Sequence, residues 1–210
     1  MFKGLDAGTL ADLAAGSRRR VYLPGEIVFR EGEPAEGLYL LESGWVRAVK
    51  MSAQGREQVL QFVGAGEAFN TVAVFTSVAN PATAIALESS VIWMVSRQTV
   101  RQLVSERPEF AARVLENMAE RMVYLVGLVA DLSLRTVSGR LAGLILDQAK
   151  EGILARPKWF TTAELAARLG TVPDVIQRAL GRLQSDGLID VNRREIRILD
   201  EGRLHLVAEG

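Results

Sequence analysis

Asp174, Gln177 and Arg178 stand three and four residues apart, with Arg182 four further on. That is the spacing that lines side chains along one face of an α-helix. Their chemistry is that of base recognition. An arginine fork matches the O6 and N7 acceptors of guanine, a glutamine amide pairs with N6 and N7 of adenine, and a carboxylate accepts from N4 of cytosine. Arg178 is the first choice for a base contact, and Arg182 suits a phosphate anchor. Farther along, Arg193 and Arg194 fall at a polar tip, where they either approach phosphates or are simply solvated.

Such a face needs an element to hold it outward. Pro173 fits the first position of a helix, where its missing N–H would have been unpaired, and Asp174 sits well near the positive helix end. The recognition helix is expected from about Pro173 to Gln184. Ile176, Leu180 and Leu183 point inward, and Pro173, Asp174, Gln177, Arg178, Gly181 and Arg182 point outward. Upstream, Thr161-Thr162-Ala163-Glu164 has capping-box spacing, in which Thr161 caps the N3 amide and Glu164 reaches back to the cap residue. Leu165, Ala166 and Leu169 form a buried stripe, and Gly170 permits a tight stop. Two short helices joined by a glycine-containing turn form a helix-turn-helix. The segments Leu188 to Val191 and Ile196 to Leu199 alternate around Asn192-Arg193-Arg194-Glu195, a β-hairpin wing.

The composition narrows the other possibilities. The 210 residues contain no cysteine, so disulfides, iron–sulfur clusters and cysteine zinc sites are excluded together. The single histidine, His205, builds no metal site alone. A catalytic barrel would need clustered acids, bases, nucleophiles or metal ligands, and the first half supplies no His or Cys and no evident paired carboxylates. The start, Met1-Phe2-Lys3 followed by Asp6 and Asp12, offers no apolar run for a leader, and Met122 to Ala130 is about half of a ~20-residue membrane span. A cytoplasmic protein without membrane contact is expected. Net charge is zero, and from Thr136 onward eleven Lys or Arg face ten Asp or Glu. Any DNA binding then relies on a local patch and on avidity. Near-neutral charge also leaves room for an alternative, a helix-turn-helix-fold protein-interaction module that does not read DNA sequence.

From Val21 to about Ser96, short β-rich runs broken by glycines suggest an antiparallel barrel or sandwich. Leu23-Pro24-Gly25-Glu26 is echoed by Gly64-Ala65-Gly66-Glu67, and Asn80-Pro81 marks a turn. Phe62, Phe69, Val72, Val74, Phe75 and Leu125 either line a pocket for a small apolar or aromatic effector or simply fill the barrel. After Pro108, Leu115, Met118, Met122, Leu125, Val129 and Leu132 are spaced 3, 4, 3, 4, 3. This is a coiled-coil seam predicting a parallel two-fold homodimer, the other reading being a helix packed on its own domain. Asp131 to Arg135 is a candidate hinge, and a further helix is expected from about Thr136 to Lys150.

On Pro24-Gly25-Glu26 with Gly44, on Gly66-Glu67, on Val137-Ser138-Gly139-Arg140-Leu141-Ala142, and on Thr161-x-x-Glu164-Leu165-Ala166 through Arg178, the chain resembles the CRP/FNR transcription regulators over essentially its whole length. The resemblance implies an α+β fold in three parts. An N-terminal antiparallel β jelly-roll barrel, cyclic-nucleotide-binding-like, would span 1–107, a dimerisation helix and hinge 108–135, and a C-terminal winged helix-turn-helix 136–210. It implies double-stranded DNA and a second copy as partners, with RNA polymerase added if the protein is an activator. It assigns half-site reading to Asp174, Gln177 and Arg178; family members commonly have Glu at the first of these. Val172 stands at the usual Ser or Thr cap, leaving Thr171 as its substitute beside the DNA. In the phosphate-binding cassette Gly66, Glu67 and Thr83 are kept, but Ala82 replaces the arginine, and Leu125 and Val126 occupy the positions of adenine-contacting hydroxyls. No cofactor is expected and no useful affinity for cyclic AMP. A haem held by ligands other than His or Cys, or by apolar contact, stays open.

Overall fold

The computed structural model describes residues 5–209; Met1 to Gly4, where no leader is expected, and Gly210 lie outside the described residues. Two compact units make up the chain, residues 1–50 with 60–125 and residues 51–59 with 126–210.

Most of the strands belong to the first unit. Helix α1 (Ala7–Ala15) starts at Asp6, whose carboxylate accepts from the Thr9 amide. The strands are β1 (Ser17–Tyr22), β2 (Ile27–Phe29), β3 (Gly37–Ser43), β4 (Val46–Met51), β5 (Glu57–Val63) and β6 (Ala68–Phe69). After the short helix α2 (Thr71–Phe75) come β7 (Thr83–Ala86), β8 (Ser90–Ser96) and helix α3 (Arg97–Glu106). They form two four-stranded sheets, ordered β1-β8-β3-β6 and β2-β7-β4-β5, with antiparallel pairing along β1·β8, β3·β8 and β4·β7. One core joins both sheets. Tyr22, Tyr39, Leu41, Phe69 and Ile92 of the first pack with Phe29, Val46, Val63, Ala84 and Ala86 of the second. At its centre Phe29, Tyr39 and Phe69 lie 4.9–6.0 Å apart between ring centroids, and burial pushes the Tyr39 hydroxyl pKa above its ordinary value.

The two sequence turns that echo each other have the same geometry, and Arg30–Glu33 is a third copy. In each, the glutamate amide donates to the first residue's carbonyl, at 3.0 Å in Leu23–Glu26, 3.1 Å in Gly64–Glu67 and 3.3 Å in Arg30–Glu33. The first residue's amide donates in return to the glutamate carboxylate, at 2.7, 2.7 and 3.0 Å respectively. The third position has φ of +83°, +86° and +81°, the left-handed region that glycine enters without a Cβ clash. Asn80 is buried rather than at an open turn: it donates to the Arg30 carbonyl and accepts from Asn70 Nδ2.

Helix α4 (Pro108–Leu134) buries Phe110 and Val114 against Leu13, Leu38, Val100 and Leu103, with Met118 on the same cluster. The expected seam divides here. Met118 serves the protein's own core and Leu132 is half-buried, whereas Leu115, Ala119, Met122, Val126 and Val129 form an open row at intervals of 4, 3, 4 and 3. The four large members of that row are 64–67% exposed. A 3–4 spacing describes a stripe wide enough to face two neighbours, and the edge that packs at home is settled only by the fold.

In the second unit, helix α5 (Val137–Gln148) is capped by Thr136, whose hydroxyl accepts from the Gly139 amide. Of the segment expected as a hinge, Asp131 to Leu134 are the end of α4, and Arg135 alone separates Leu134 from that cap. Arg140 Nη1 donates to the carbonyls of Asp131 and Arg135 at 3.3 and 2.8 Å, supplying a cation where the end of α4 is electronegative. Strand β9 (Ile153–Ala155), helices α6 (Thr162–Arg168) and α7 (Pro173–Ser185), strands β10 (Ile189–Val191) and β11 (Glu195–Ile198), and helix α8 (Glu201–Glu209) complete the unit. Leu141, Ile145, Leu165, Ile176, Leu183, Ile196 and Leu204 share its core. No helix among the described residues is long and apolar enough to cross a membrane.

Candidate nucleic-acid interface

Helix α6 is fixed at both ends. The Thr161 hydroxyl accepts from the Glu164 amide at 3.2 Å, and the Thr161 amide donates to the Trp159 carbonyl. Glu164 and Arg168 are both buried, 3.8 Å apart. The Arg168 guanidinium lies over the Trp159 and Phe160 rings and donates to Gln148 of α5, so a paired cation ties the first helix of the motif to the domain beneath it. Sequence reasoning missed this cluster, because Arg168 reads there as an ordinary helix-surface cation.

The turn that follows depends on Gly170. Its φ is +64°, and a Cβ added there would lie 2.6 Å from Leu132 Cδ2, while the Thr171 amide closes onto the Ala166 carbonyl. Gly170→Ala is expected to cost about 1–2 kcal/mol from the left-handed backbone alone. Circular dichroism should show the melting midpoint lowered by roughly 2–8 °C.

Helix α7 begins with Pro173 at its first turn, and Val172 at the cap position supplies no side-chain hydrogen bond. The substitute cap expected of Thr171 is not made. Ile176, Ala179, Leu180 and Leu183 are buried; Pro173, Asp174, Gln177, Arg178, Gly181 and Arg182 are exposed on the opposite side. Arg182 is 4.0 Å from Asp186, one turn farther along. The side chains of Asp174, Gln177 and Arg178 have no hydrogen bond or ion pair among the described residues. The wing is the β10–β11 hairpin, with Val191 opposite Ile196 and Arg193 exposed at its tip. Strand β9 adds a third strand along β11, and α8 packs on α5 through Leu204 and Ala208. Neither is visible in the sequence pattern, since β9 is three residues long and α8 has little apolar periodicity.

The residues expected to line an effector pocket are dispersed. Phe69 is stacked in the core shared by the two sheets, Val74 and Phe75 pack in the other cluster with Phe110, and Val72 and Leu125 are exposed while Phe62 on β5 is half-buried. Phe69 thus takes the barrel-filling role that was the other expectation for these side chains, whereas Val74 and Phe75 pack outside that core. Of the cassette residues, Glu67 accepts from the Gly64 amide in its own turn, with Gly66 supplying the left-handed residue. Thr83 Oγ1 accepts from the Glu31 amide at 3.0 Å, and Ala82 is buried with no cation of its own.

The family model of the cyclic nucleotide-binding domain matches residues 19–107, and that of the Crp-like helix-turn-helix domain matches residues 139–207. The chain is 28% identical to a CRP-like cAMP-activated global transcriptional regulator of Mycobacterium tuberculosis, over 97% of this chain and 94% of that protein. It is 27% identical to a cyclic AMP receptor protein of Thermus thermophilus, over 100% of this chain and 97% of that one. Among solved structures, FixK2 from Bradyrhizobium japonicum shares the fold with a TM-score of 0.79 at 22% identity, covering 91% of this chain and 96% of its own.

Proposed function

Because the chain belongs to the CRP/FNR family of transcription regulators, with both of that family's domains in order, we propose that it works in the cytoplasm as a homodimer. Two copies of α7 read a palindromic operator, and cyclic AMP is not the switch. The observation that carries this reading is α7 itself. One face is sunk in the domain core, and the other offers Asp174, Gln177 and Arg178 with no partner within the described chain. Arg178 takes guanine, while Arg182, Thr171, Pro173 and the wing residue Arg193 hold the backbone on either side. The open row on α4 supports pairing with a second copy, and RNA polymerase is the further partner if the protein activates.

Independence from cyclic AMP rests on the cassette. Relatives are named for cyclic AMP, but Ala82 offers a bound phosphate no counter-charge. A buried phosphate without a paired cation is strongly disfavoured.

Selection of bound duplexes from random sequence tests the whole reading. The expected product is a palindrome with half-sites about one helical turn apart, bound equally well with and without millimolar cyclic AMP. A non-palindromic product would contradict two-fold reading, and tightening by cyclic AMP would contradict the assignment of the sensor.

A further inference from the structure

Arg156 lies between the end of β9 and Pro157, outside the helix-turn-helix, and two of its groups are used on the wing. Its amide donates to the Arg194 carbonyl at 2.6 Å, and its Nη1 donates to the Asn192 carbonyl at 2.9 Å. One residue therefore holds the carbonyls on both sides of Arg193. The same turn is closed from within. Asn192 Oδ1 accepts from the Arg194 and Glu195 amides at 2.8 and 3.0 Å, and the Asn192 amide donates to the Glu195 carbonyl at 3.0 Å. Arg156 is half-buried, and its Nε is shut off from solvent without a hydrogen-bond partner, so that part of the side chain packs against the protein. The Arg193 and Arg194 guanidinium groups are the reverse, exposed and without a side-chain partner among the described residues.

We propose that Arg156 is a positioning residue of the DNA-binding surface. It fixes the wing turn so that Arg193 and Arg194 meet backbone phosphates already ordered, and it does not touch the DNA itself. The proposal rests on the DNA-reading function given above. A free hairpin tip would lose conformational freedom on meeting the duplex, and that loss offsets the attraction of the phosphates. Holding both flanking carbonyls removes much of that freedom before binding. It also engages two carbonyl oxygens that would otherwise present partial negative charge beside a phosphate. A charge-assisted donor such as Arg156 Nη1 makes the stronger kind of contact to such an oxygen.

The test is a cycle of variants of the full chain: Arg156→Met, Arg156→Lys, Arg193→Ala with Arg194→Ala, and Arg156→Met added to that pair. Each is titrated onto the selected operator and onto an unrelated duplex at several salt concentrations. Loss of the two tip arginines is expected to shallow the dependence of log K on log salt by about 0.9 for each phosphate released, equally on both duplexes. Arg156→Met is expected to reproduce most of that change in the parent protein and to add nothing where the tip arginines are gone, the non-additivity of residues that act through one another. Arg156→Lys keeps one charged donor for the Asn192 carbonyl and is expected to fall between the parent and Arg156→Met; if the methionine variant folds poorly, the same comparison of both backgrounds is made with Arg156→Lys. Equal effects of Arg156→Met in both backgrounds would mean that Arg156 meets a phosphate directly and would overturn the proposal. So would an Arg156→Met variant with the parent's salt slope. If the parent fails to prefer operator over unrelated duplex, the reading of sequence recognition fails instead, while the salt slopes still decide the role of Arg156.

Discussion

Replacing Arg178 with alanine is expected to remove most of the preference for operator over unrelated DNA. A good bidentate contact is worth about 1–3 kcal/mol of discrimination, and a two-fold dimer makes it twice. The loss is then about 2–6 kcal/mol, a fall of roughly 30-fold to more than 10⁴-fold in operator affinity. The fold should not suffer, because the Arg178 side chain is exposed and has no partner in the chain; surface changes of this kind stay within about 0.5 kcal/mol. Arg182→Ala gives the contrast. A phosphate contact carries no sequence information, so its loss weakens binding to every duplex by a similar factor and shallows the salt dependence. Fluorescence anisotropy with operator and scrambled duplexes separates the two patterns. Unchanged discrimination in Arg178→Ala would remove α7 as the reader and favour the alternative of a helix-turn-helix fold used for protein contact.

The second large effect is expected at Val126. Its neighbours Met122 and Val129 are open on the same row of α4, and in a parallel two-fold pair each residue of the row lies close to its own copy. Val126→Glu then sets two carboxylates against each other in an apolar seam, where unpaired buried charge is strongly destabilising. The protein should sediment as a monomer at micromolar concentration. Its operator affinity should drop by the avidity of the second half-site, about 10²–10⁴-fold. Because Val126 is 66% exposed in the single chain, the monomer should keep its helical signal. A dimer of normal strength in this variant would place the subunit contact elsewhere.

How far the sequence could be read depended on whether a local rule was enough. The recognition helix was legible because Pro173, the inward spacing of Ile176, Leu180 and Leu183, and the glycine at 170 each act within a few residues. Val172 at the cap fitted less well, and it forms no side-chain hydrogen bond. The open row on α4 was legible only as a stripe. Periodicity gave Met118 and Leu132 the same standing as Met122 and Val129, and only tertiary packing separates the former from the latter. The sensor was hardest. Phe69 and Phe75 look alike in a sequence, yet Phe69 stacks between the sheets and Phe75 packs with the Phe110 cluster, a difference that only strand order and tertiary packing decide. Arg168 and Arg156 were overlooked for a related reason: an arginine turned inward to hold carbonyls or rings has no signature distinct from one turned to water.

The three glycine–glutamate turns have a consequence for how such a protein can change. Each loop is tied by its own carboxylate and its own peptide groups, so its shape is inherited with four consecutive residues. A change of side chain beside such a loop, where a ligand's charge would have to be met, leaves the loop's own hydrogen bonds in place, and the barrel does not need to be rebuilt. The sensor half is then free to drift toward a new stimulus, or toward none, while the half that reads DNA keeps its partner and its geometry.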